Sequence, residues 1–304
     1  MITIKKILCP VDFFPASGRA VNYAAGLAAN YGATIHLLHV VTPAIPTAYE
    51  YPLNTVDVVK WMEEASRPEM DKLVAKLKAK GLKVKTELKA GDVHDAIQRS
   101  ISTLKPDLIA MGTHGRRGLG RWFMGSVTER LMRRSPVPVL ALSSEDRLTE
   151  PLFRRILVTT DFSAGTPDAL EYAFSIAQEN QSRITLLHVI NDLVADPTNK
   201  YRESLVMGVK KQLEDFVPDS VRNWCEVDTR VDVGLPYRRI LKILESETFD
   251  LIVMNIHGKG MWDRALLGST AERVVRAARC PVLLIPPKKK ARTRRKSVSV
   301  RRAA

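Results

Sequence analysis

The chain has 304 residues, of which 45% are hydrophobic, and its formal net charge is +14. This apolar fraction can fill compact cores and excludes a globally disordered chain. No apolar run approaches the ~18–20 residues of a membrane-spanning helix, and strand-like sequence begins too early for a secretion signal. Three scattered cysteines (Cys9, Cys225 and Cys280) do not suit a disulfide framework or a zinc cluster. These features predict a cytoplasmic protein.

Much of the positive charge lies at the C-terminus. Residues 288–304 contain nine basic residues and no acidic one, which leaves about +5 for the rest of the chain (14 − 9). A basic run of this kind is attracted to phosphate backbones without sequence preference, and it contains no aromatic residue that could stack on bases. A solvated, disordered tail is the simpler interpretation.

In the first half of the chain, short apolar runs alternate with stretches of helical period. The runs at 4–11, 34–41, 84–88, 108–111 and 137–142 predict strands, and the stretches at 17–30, 58–80, 92–104 and 126–134 predict helices. Nearly continuous apolar strands separated by helices are typical of a parallel sheet covered on both faces. This half is therefore expected to be an α/β domain with a doubly wound, five-stranded parallel sheet.

The second half repeats the first. Residues 6–13, Lys-Ile-Leu-Cys-Pro-Val-Asp-Phe, reappear at 155–162 as Arg-Ile-Leu-Val-Thr-Thr-Asp-Phe, and eight of the sixteen residues at 125–140 are identical at 268–283. The offset falls from 149 to 143, so the second copy has lost six residues between His188 and Gly234. The repeat predicts domains at 1–145 and 153–287, a polar linker between them, and the tail at 288–304. Their fifth strands should be sheet edges that pair with each other, and homodimerisation of the chain is left open.

In doubly wound sheets, ligands bind beyond the carboxyl ends of the strands, where the strand order reverses. Asp12 ends the first strand, and a loop with Gly112, Gly115 and Gly125 follows the fourth. Ser126 then begins a helix whose N-terminal amides could bind phosphate, and three loop arginines add positive charge. An alternative needs no ligand: Ser126 with Glu129, and Ser269 with Glu272, read as capping boxes.

Residues 1–286 resemble the universal stress protein family in tandem form. The matching pieces are residues 7–13, 38–40, 107–115 and 125–130, and the spacing Gly112-x2-Gly115-x9-Gly125-Ser126 resembles the motif of the family's ATP-binding branch. The resemblance implies two Rossmann-like, adenine nucleotide alpha-hydrolase-like domains that bind ATP or a related adenine nucleotide, with Mg²⁺ or Mn²⁺ at the phosphates. In the first half it implies that the nucleotide is held by Pro10, Val11, Asp12, Val40, Met111, Gly112, His114, Gly115, Arg116, Gly125, Ser126, Val127 and Thr128. In the second half the corresponding residues are Asp161, Val189, Gly258, Gly268, Ser269 and Thr270.

The second half departs from this motif. Asn255 stands where the first half has Gly112, Thr160 replaces Val11, and Asp263 adds a negative charge to the loop. Asn tolerates a left-handed backbone better than most residues, so the turn could survive, but its side chain could crowd a ligand. The sequence therefore leaves open whether both halves bind nucleotide or only the first.

Strong catalysis is not expected. The chain shows no P-loop lysine, no paired acidic cluster for two metals and no Ser-His-Asp arrangement. Slow ATP hydrolysis would need only an oriented water at a metal–phosphate complex. An adenylyl transferase or pyrophosphatase of similar fold would need a Ser-Gly-Gly-type loop after the first strand, where this chain has Asp12-Phe-Phe-Pro. The sequence favours a nucleotide-binding regulatory protein, with binding of nucleic acid or an anionic surface through the tail as the alternative.

Overall fold

The computed structural model describes residues 2–43, 55–113, 125–143, 153–191, 202–258 and 268–287. In the first half, strands and helices alternate. The strands are β1 (Lys6–Val11), β2 (Thr34–Val41), β3 (Lys83–Ala90), β4 (Leu108–Gly112) and β5 (Val139–Leu142). The helices are α1 (Pro15–Tyr31), α2 (Thr55–Lys78), α3 (Val93–Leu104) and α4 (Ser126–Arg134).

The second half repeats this order with one short additional helix. Its strands are β6 (Arg155–Thr160), β7 (Arg183–Ile190), β8 (Val227–Val233), β9 (Leu251–Asn255) and β10 (Val282–Ile285). Its helices are α5 (Thr166–Asn180), α6 (Arg202–Glu214), α7 (Asp219–Arg222), α8 (Pro236–Ser246) and α9 (Ser269–Ala277). Where the first half has the 24-residue helix α2, the second has α6, of 13 residues, and α7, of four.

Each half forms a parallel sheet that is doubly wound, as the alternation of strands and helices predicts. The strand order is β3-β2-β1-β4-β5 in the first half, and β8-β7-β6-β9-β10 repeats it in the second. β1 pairs in parallel with β2 on one side and with β4 on the other. The order of the strands therefore reverses between β1 and β4, and the predicted fold class is confirmed.

The two sheets are continuous. β10 pairs with β5 in antiparallel register, with Leu283 opposite Leu140, so that ten strands form one sheet with a palindromic order. Both leucines are almost fully buried. An antiparallel pair of equivalent edges is the arrangement that a local twofold relation between two copies produces.

The core lies in two layers, one on each face of the sheet. Successive residues of a strand point to opposite faces, so Ile7 and Cys9 pack in one layer and Leu8 in the other. Each layer contains buried residues from both halves. Burial on both faces explains why the strands read as nearly continuous apolar runs.

On one face of the sheet, α1 and α5 bring the halves into contact. The Tyr23 ring lies 5.7 Å from the Phe153 ring, measured between centroids. The hydroxyls of Tyr31 and Ser175 are 3.2 Å apart and form a hydrogen bond between the two helices. The halves are thus joined through side chains as well as through the strand ladder.

All three cysteines are free thiols and buried. Burial raises the pKa of the Cys9 thiol and, together with nearby Glu226, that of Cys225. A thiol that is hard to deprotonate is a poor nucleophile. None of the helices in the described part of the chain combines the length and the apolar character needed to cross a bilayer.

Candidate functional site

The predicted site residues of the first half lie where the strand order reverses. Asp12 directly follows β1, and Gly112 is the last residue of β4, the strand beside β1. Because parallel strands present their carboxyl ends at the same edge, both residues face the crevice in which such sheets bind ligands. These predicted residues of the first half therefore lie at the edge of the sheet where such a site is expected.

A strained turn sets the position of Asp12. Its Oδ1 accepts a hydrogen bond from the Phe14 amide at 3.0 Å, and Phe13 between them has a φ of 65°. A bulky residue rarely adopts this left-handed backbone, and such strain is concentrated at functional sites. The Ser17 hydroxyl accepts from the Asp12 amide at 3.4 Å and donates to the Phe14 carbonyl at 3.0 Å. The second carboxylate oxygen of Asp12 is not used in this turn.

His39 is a structural residue of this turn. Its Nδ1 lies 2.8 Å from the Val11 carbonyl oxygen, and its ring centroid lies 4.4 Å from that of Phe13. A carbonyl can only accept, so Nδ1 carries the proton. His39 is therefore a buried residue whose Nδ1 is satisfied within the fold.

Gly112 is required by packing. A Cβ at this position would lie 2.8 Å from the Ala16 Cβ and 2.9 Å from the Ser17 nitrogen, closer than real Cβ atoms approach. Neither Gly112 nor Asn255 at the matching position has a positive φ, so the left-handed backbone considered for Asn255 is not formed at this position. Glycine instead allows the end of β4 to contact the first turn of α1.

The N-terminus of α4 begins at a glycine and not at the predicted capping box. The N-cap residue is Gly125, its helix has no side-chain cap, and Ser126 is the first helical residue. Glu129 forms an ion pair with Arg133 at 2.6 Å instead of reaching back to the cap. The capping-box prediction is wrong here, and also for Ser269, because α9 begins at Gly268 in the same way. Within the described residues, the first amides of α4 are thus left without a side-chain acceptor.

The Thr128 hydroxyl faces inward. It donates to the Gly112 carbonyl at 2.9 Å, and the residue is 4% exposed. The Gly125 amide donates to the Thr113 carbonyl at 2.8 Å. Together these bonds fix the start of α4 against the end of β4, so Thr128 shapes the site from within the fold.

The remaining predicted residues of the first half differ in exposure. Met111 and Val11 are buried and pack on opposite faces of the sheet. Pro10, Val40 and Val127 are half-buried, and Ser126 is exposed. Three predicted residues, His114, Gly115 and Arg116, lie outside the described residues, as do Arg117, Arg121 and the basic tail.

The second half reproduces the turn of the first. The Asp161 Oδ1 accepts from the Ser163 amide at 3.0 Å, and Phe162 has a φ of 60°. The Phe162 ring lies 4.5 Å from that of His188, whose Nδ1 is 2.8 Å from the Thr160 carbonyl oxygen. The His188 ring therefore makes the same two contacts as the His39 ring, one with a backbone carbonyl and one with a phenylalanine ring.

Two further residues of the second crevice contact each other. A Cβ on Gly258 would lie 2.8 Å from the Asp161 Oδ2, so the loop after β9 reaches the carboxylate after β6. Val189 and Gly268 are buried, Thr270 is half-buried and Ser269 is exposed. The predicted residues of the second half are thus brought to one edge of the sheet.

Asn255 is accommodated by a change at a second position. Where the first half has Ala16 beside Gly112, the second has Gly165 beside Asn255, and a Cβ on Gly165 would lie 2.9 Å from the Asn255 amide. With the amide oriented to satisfy both of its groups, its nitrogen donates to the Gly165 carbonyl at 3.0 Å and its oxygen accepts from the Thr166 amide at 3.3 Å. The side chain is thus directed at the start of α5.

Sequence reasoning missed Phe13 and Ser17. The left-handed conformation of Phe13 depends on the Asp12 turn and the His39 ring, which no local pattern reveals. The repetition of Asp-Phe at 12–13 and 161–162 was the available signal. Among the described residues, no cluster of three or more His, Cys, Asp or Glu side chains is arranged to hold a metal ion.

The topology defines a duplicated, doubly wound α/β protein with a crevice in each half where the strand order reverses. The family model of the universal stress proteins matches residues 3–143 and 152–286, and the chain belongs to this family. A universal stress protein of Mycolicibacterium smegmatis is 27% identical over 298 residues, which span 93% of this chain and 97% of that protein. One of Mycobacterium tuberculosis is 28% identical over 293 residues, 91% of this chain and 95% of the relative. The crystal structure of a universal stress protein from Archaeoglobus fulgidus, 26% identical, superposes with a TM-score of 0.69 and covers 94% of this chain and 97% of its own.

Proposed function

We propose that the first half binds ATP or a related adenine nucleotide, and that the protein is a nucleotide-binding regulator of the stress response. The observation that carries this proposal is the glycine-capped N-terminus of α4, which has no side-chain cap and starts beside the end of β4. Free amides and the helix dipole favour a polyanion at such a position. Glycine at the N-cap keeps the approach to these amides open.

Asp12 supplies the second point of recognition. It is half-buried at the end of β1, and its turn uses one carboxylate oxygen for the Phe14 amide. The other oxygen can accept from a ribose hydroxyl or an adenine amine. A carboxylate on one side of the crevice and amides on the other suit a ligand with a donor-rich nucleoside and anionic phosphates.

A divalent ion that accompanies the phosphates would take most of its ligands from phosphate and water. Mg²⁺ is bound in this way in many nucleotide sites, with one or two carboxylates from the protein. Asp12 is the carboxylate that the described part of this crevice offers. Such an ion would neutralise phosphate charge, and slow hydrolysis would then depend on an oriented water.

The helix proposed to bind the phosphates also contacts the other half. In α4, Glu129 lies 3.5 Å from Arg276 of α9, and Arg133 lies 3.9 Å from Glu272. A shift of α4 on nucleotide binding would therefore act on α9 directly. This link supports an output through conformation or association rather than through rapid catalysis.

The sharpest test is Gly125→Asp, examined by calorimetric titration with ATP in the presence and absence of Mg²⁺. A Cβ at Gly125 meets the Thr113 carbonyl oxygen at 3.4 Å, an ordinary contact, and Asp is a preferred N-cap residue. The variant should therefore keep or raise the thermal midpoint. Its carboxylate would occupy the amides and repel phosphate, so ATP affinity should fall at least about tenfold.

The matched control is Gly268→Asp, which makes the same change at the N-cap of α9. This position suits the test better than Gly258, where a side chain would collide with Asp161. If Gly125→Asp loses the heat of ATP binding and Gly268→Asp does not, ATP binds in the first half only. If each variant loses half of the binding stoichiometry, both halves bind. Absence of ATP binding in the unaltered protein would refute the proposal.

A further inference from the structure

A second recess lies at the opposite edge of the sheet from the crevices. It has a volume of about 520 Å³ and is lined at the amino ends of β6, β7 and β8. Because the strands of each half are parallel, this edge faces away from the carboxyl ends where Asp161 and Gly258 lie. The recess is thus separate from the proposed nucleotide sites, and its volume is in the range of small-molecule pockets.

The lining is cationic. Three arginines, Arg154, Arg155 and Arg183, line it together with one acidic residue, Glu226, which gives a formal net charge of +2 (3 − 1). Arg183 is paired with Glu226 at 2.5 Å, and Arg155 lies 3.5 Å from Glu247. Arg154 has no carboxylate within ion-pair distance in the described part of the chain. An anion entering the recess would therefore meet an unpaired guanidinium.

An aromatic surface accompanies this charge. Trp224 lines the recess and is 43% exposed, although tryptophan is usually buried. An indole ring can stack on another aromatic ring, and a guanidinium fork can bind a phosphate or carboxylate through two parallel hydrogen bonds. The two chemistries lie in one cavity.

Comparison of the two halves shows that two of the residues lining the recess are particular to the second half. Ile35 pairs with Val84 in the first half and Ile184 with Val227 in the second, which aligns the strands that form this edge. At the positions of Arg183 and Trp224 the first half then has Thr34 and Gly81. The first half has Lys5 and Lys6 at the positions of Arg154 and Arg155, so the two halves differ at this edge in the Arg183 cation and the Trp224 ring.

We infer that this recess, defined by Arg154, Arg183 and Trp224, binds a small aromatic anion, in which a flat ring stacks on the indole and a phosphate or carboxylate contacts the guanidinium groups. The ring and the anionic group belong to one molecule. Neither the indole surface nor the exposed guanidinium groups would hold a ligand by themselves, so the ligand has to contact both. The site is independent of nucleotide binding at the carboxyl edge.

The inference can be tested by ¹⁹F NMR on the full chain labelled with 5-fluorotryptophan. The chain has four tryptophans, and the resonance of Trp224 is the one that Trp224→Ala removes. Phenyl phosphate and benzoate serve as probes, with inorganic phosphate as the ring-free control. The Trp224 resonance should shift saturably with one or both aromatic anions, and about tenfold more weakly with inorganic phosphate, since stacking is lost.

Two variants separate the recess from general effects of charge. Arg183→Thr restores the residue of the first half and should weaken the aromatic anion about tenfold, whereas Arg99→Thr, an exposed arginine of α3, should not change it. Both should keep the thermal midpoint because both side chains are exposed. A Trp224 resonance that does not respond to either aromatic probe, or that responds equally in Arg183→Thr, would overturn the inference. If the protein fails to bind ATP at the carboxyl edge of the sheet, the outcome of this test at the amino edge is not changed.

Discussion

At the scale of single residues, the two halves solve one packing problem in two ways. In each half, the last residue of the fourth strand contacts the residues at the start of the helix that follows the first strand. The space between them accommodates a side chain from only one of the two elements. In the first half Ala16 fills it and the strand has Gly112, whereas in the second Asn255 fills it and the helix has Gly165. The departure of the second half from the glycine motif is therefore compensated within the fold, and Asn255 need not crowd a ligand.

This exchange predicts a strong coupling between the two positions. Gly165→Ala places a methyl group 2.9 Å from the Asn255 amide and should lower the free energy of unfolding by about 1–3 kcal/mol. Gly165→Ala combined with Asn255→Gly recreates the pair of the first half and should recover most of that loss. Urea denaturation of the two single variants and the double variant measures the coupling. Additive losses would show that the residues do not share the space.

His36 provides a prediction about pH. Burial on β2 and the nearby positive charges of Lys85 and Lys6 lower the pKa of its ring. The unfolded chain, with an ordinary pKa of about 6.5, then binds the proton more readily than the folded protein. The contribution of His36 to stability is therefore complete above about pH 6.5 and is lost as the pH falls towards the lowered pKa.

His36→Gln should consequently reduce the dependence of stability on pH. The decrease in thermal midpoint between about pH 7.5 and about pH 5.5 is expected to be smaller in this variant than in the unaltered protein. His39→Gln is a poor control because its ring bonds the Val11 carbonyl, so the comparison is best made with an exposed change such as Arg99→Gln. If the thermal midpoint falls equally in the unaltered protein, His36→Gln and Arg99→Gln, His36 is not the source of the pH dependence.

At the scale of secondary structure elements, the contact between the halves combines a buried ladder with a half-exposed ion-pair cluster. Leu140 and Leu283 are opposite each other in β5 and β10 and almost fully buried. The charged groups of Glu129 and Arg276 are 3.5 Å apart, with side chains 29% and 22% exposed. Burial of apolar surface is expected to outweigh the ion pair, because partly solvated pairs are screened.

Matched substitutions can measure this difference. Leu140→Ala should lower the free energy of unfolding by about 2–5 kcal/mol, since it leaves a cavity at the ladder. A double-mutant cycle of Glu129→Gln and Arg276→Gln should give a coupling of about 1 kcal/mol or less, decreasing with added salt. A coupling as large as the cost of Leu140→Ala would mean that electrostatics dominate the contact.

The bounds of the strands and helices show which parts of the fold could be predicted from the sequence. Apolar runs predicted β1, β2, β4 and β5 to within a few residues, because strands buried on both faces have a continuous apolar signature. β3 extends to Lys83–Ala90, beyond the predicted 84–88, since the lysines at this sheet edge contribute no apolar signal. The bounds of α4 were predicted correctly at 126–134, but its cap was misread, because Ser and Glu at the right spacing satisfy the capping pattern whether or not glycine takes the N-cap. The crevice was located by topology, whereas the Asn255–Gly165 contact required the folded structure.

At the scale of the whole molecule, the palindromic order of the sheet implies that each half carries a self-complementary edge. β5 is Val-Leu-Ala-Leu and β10 is Val-Leu-Leu-Ile, all buried, and they pair in antiparallel register. An exposed apolar edge strand seeks a partner, and an antiparallel contact between equivalent strands is isologous. A fragment of residues 1–143 would expose this edge together with the α1 surface that packs on Phe153.

Such a fragment should therefore form a homodimer in which β5 pairs with β5, as a substitute for the contact with β10. Light scattering coupled to size-exclusion chromatography would give twice the mass of the fragment, and Leu140→Lys should convert it to a monomer or abolish its folding. In the full chain β5 is already paired, so addition of the fragment should not produce a mixed complex. A well-folded monomer of unaltered 1–143 would show that the edge is protected within one half, and that the continuous sheet is a consequence of tethering rather than of complementary edges.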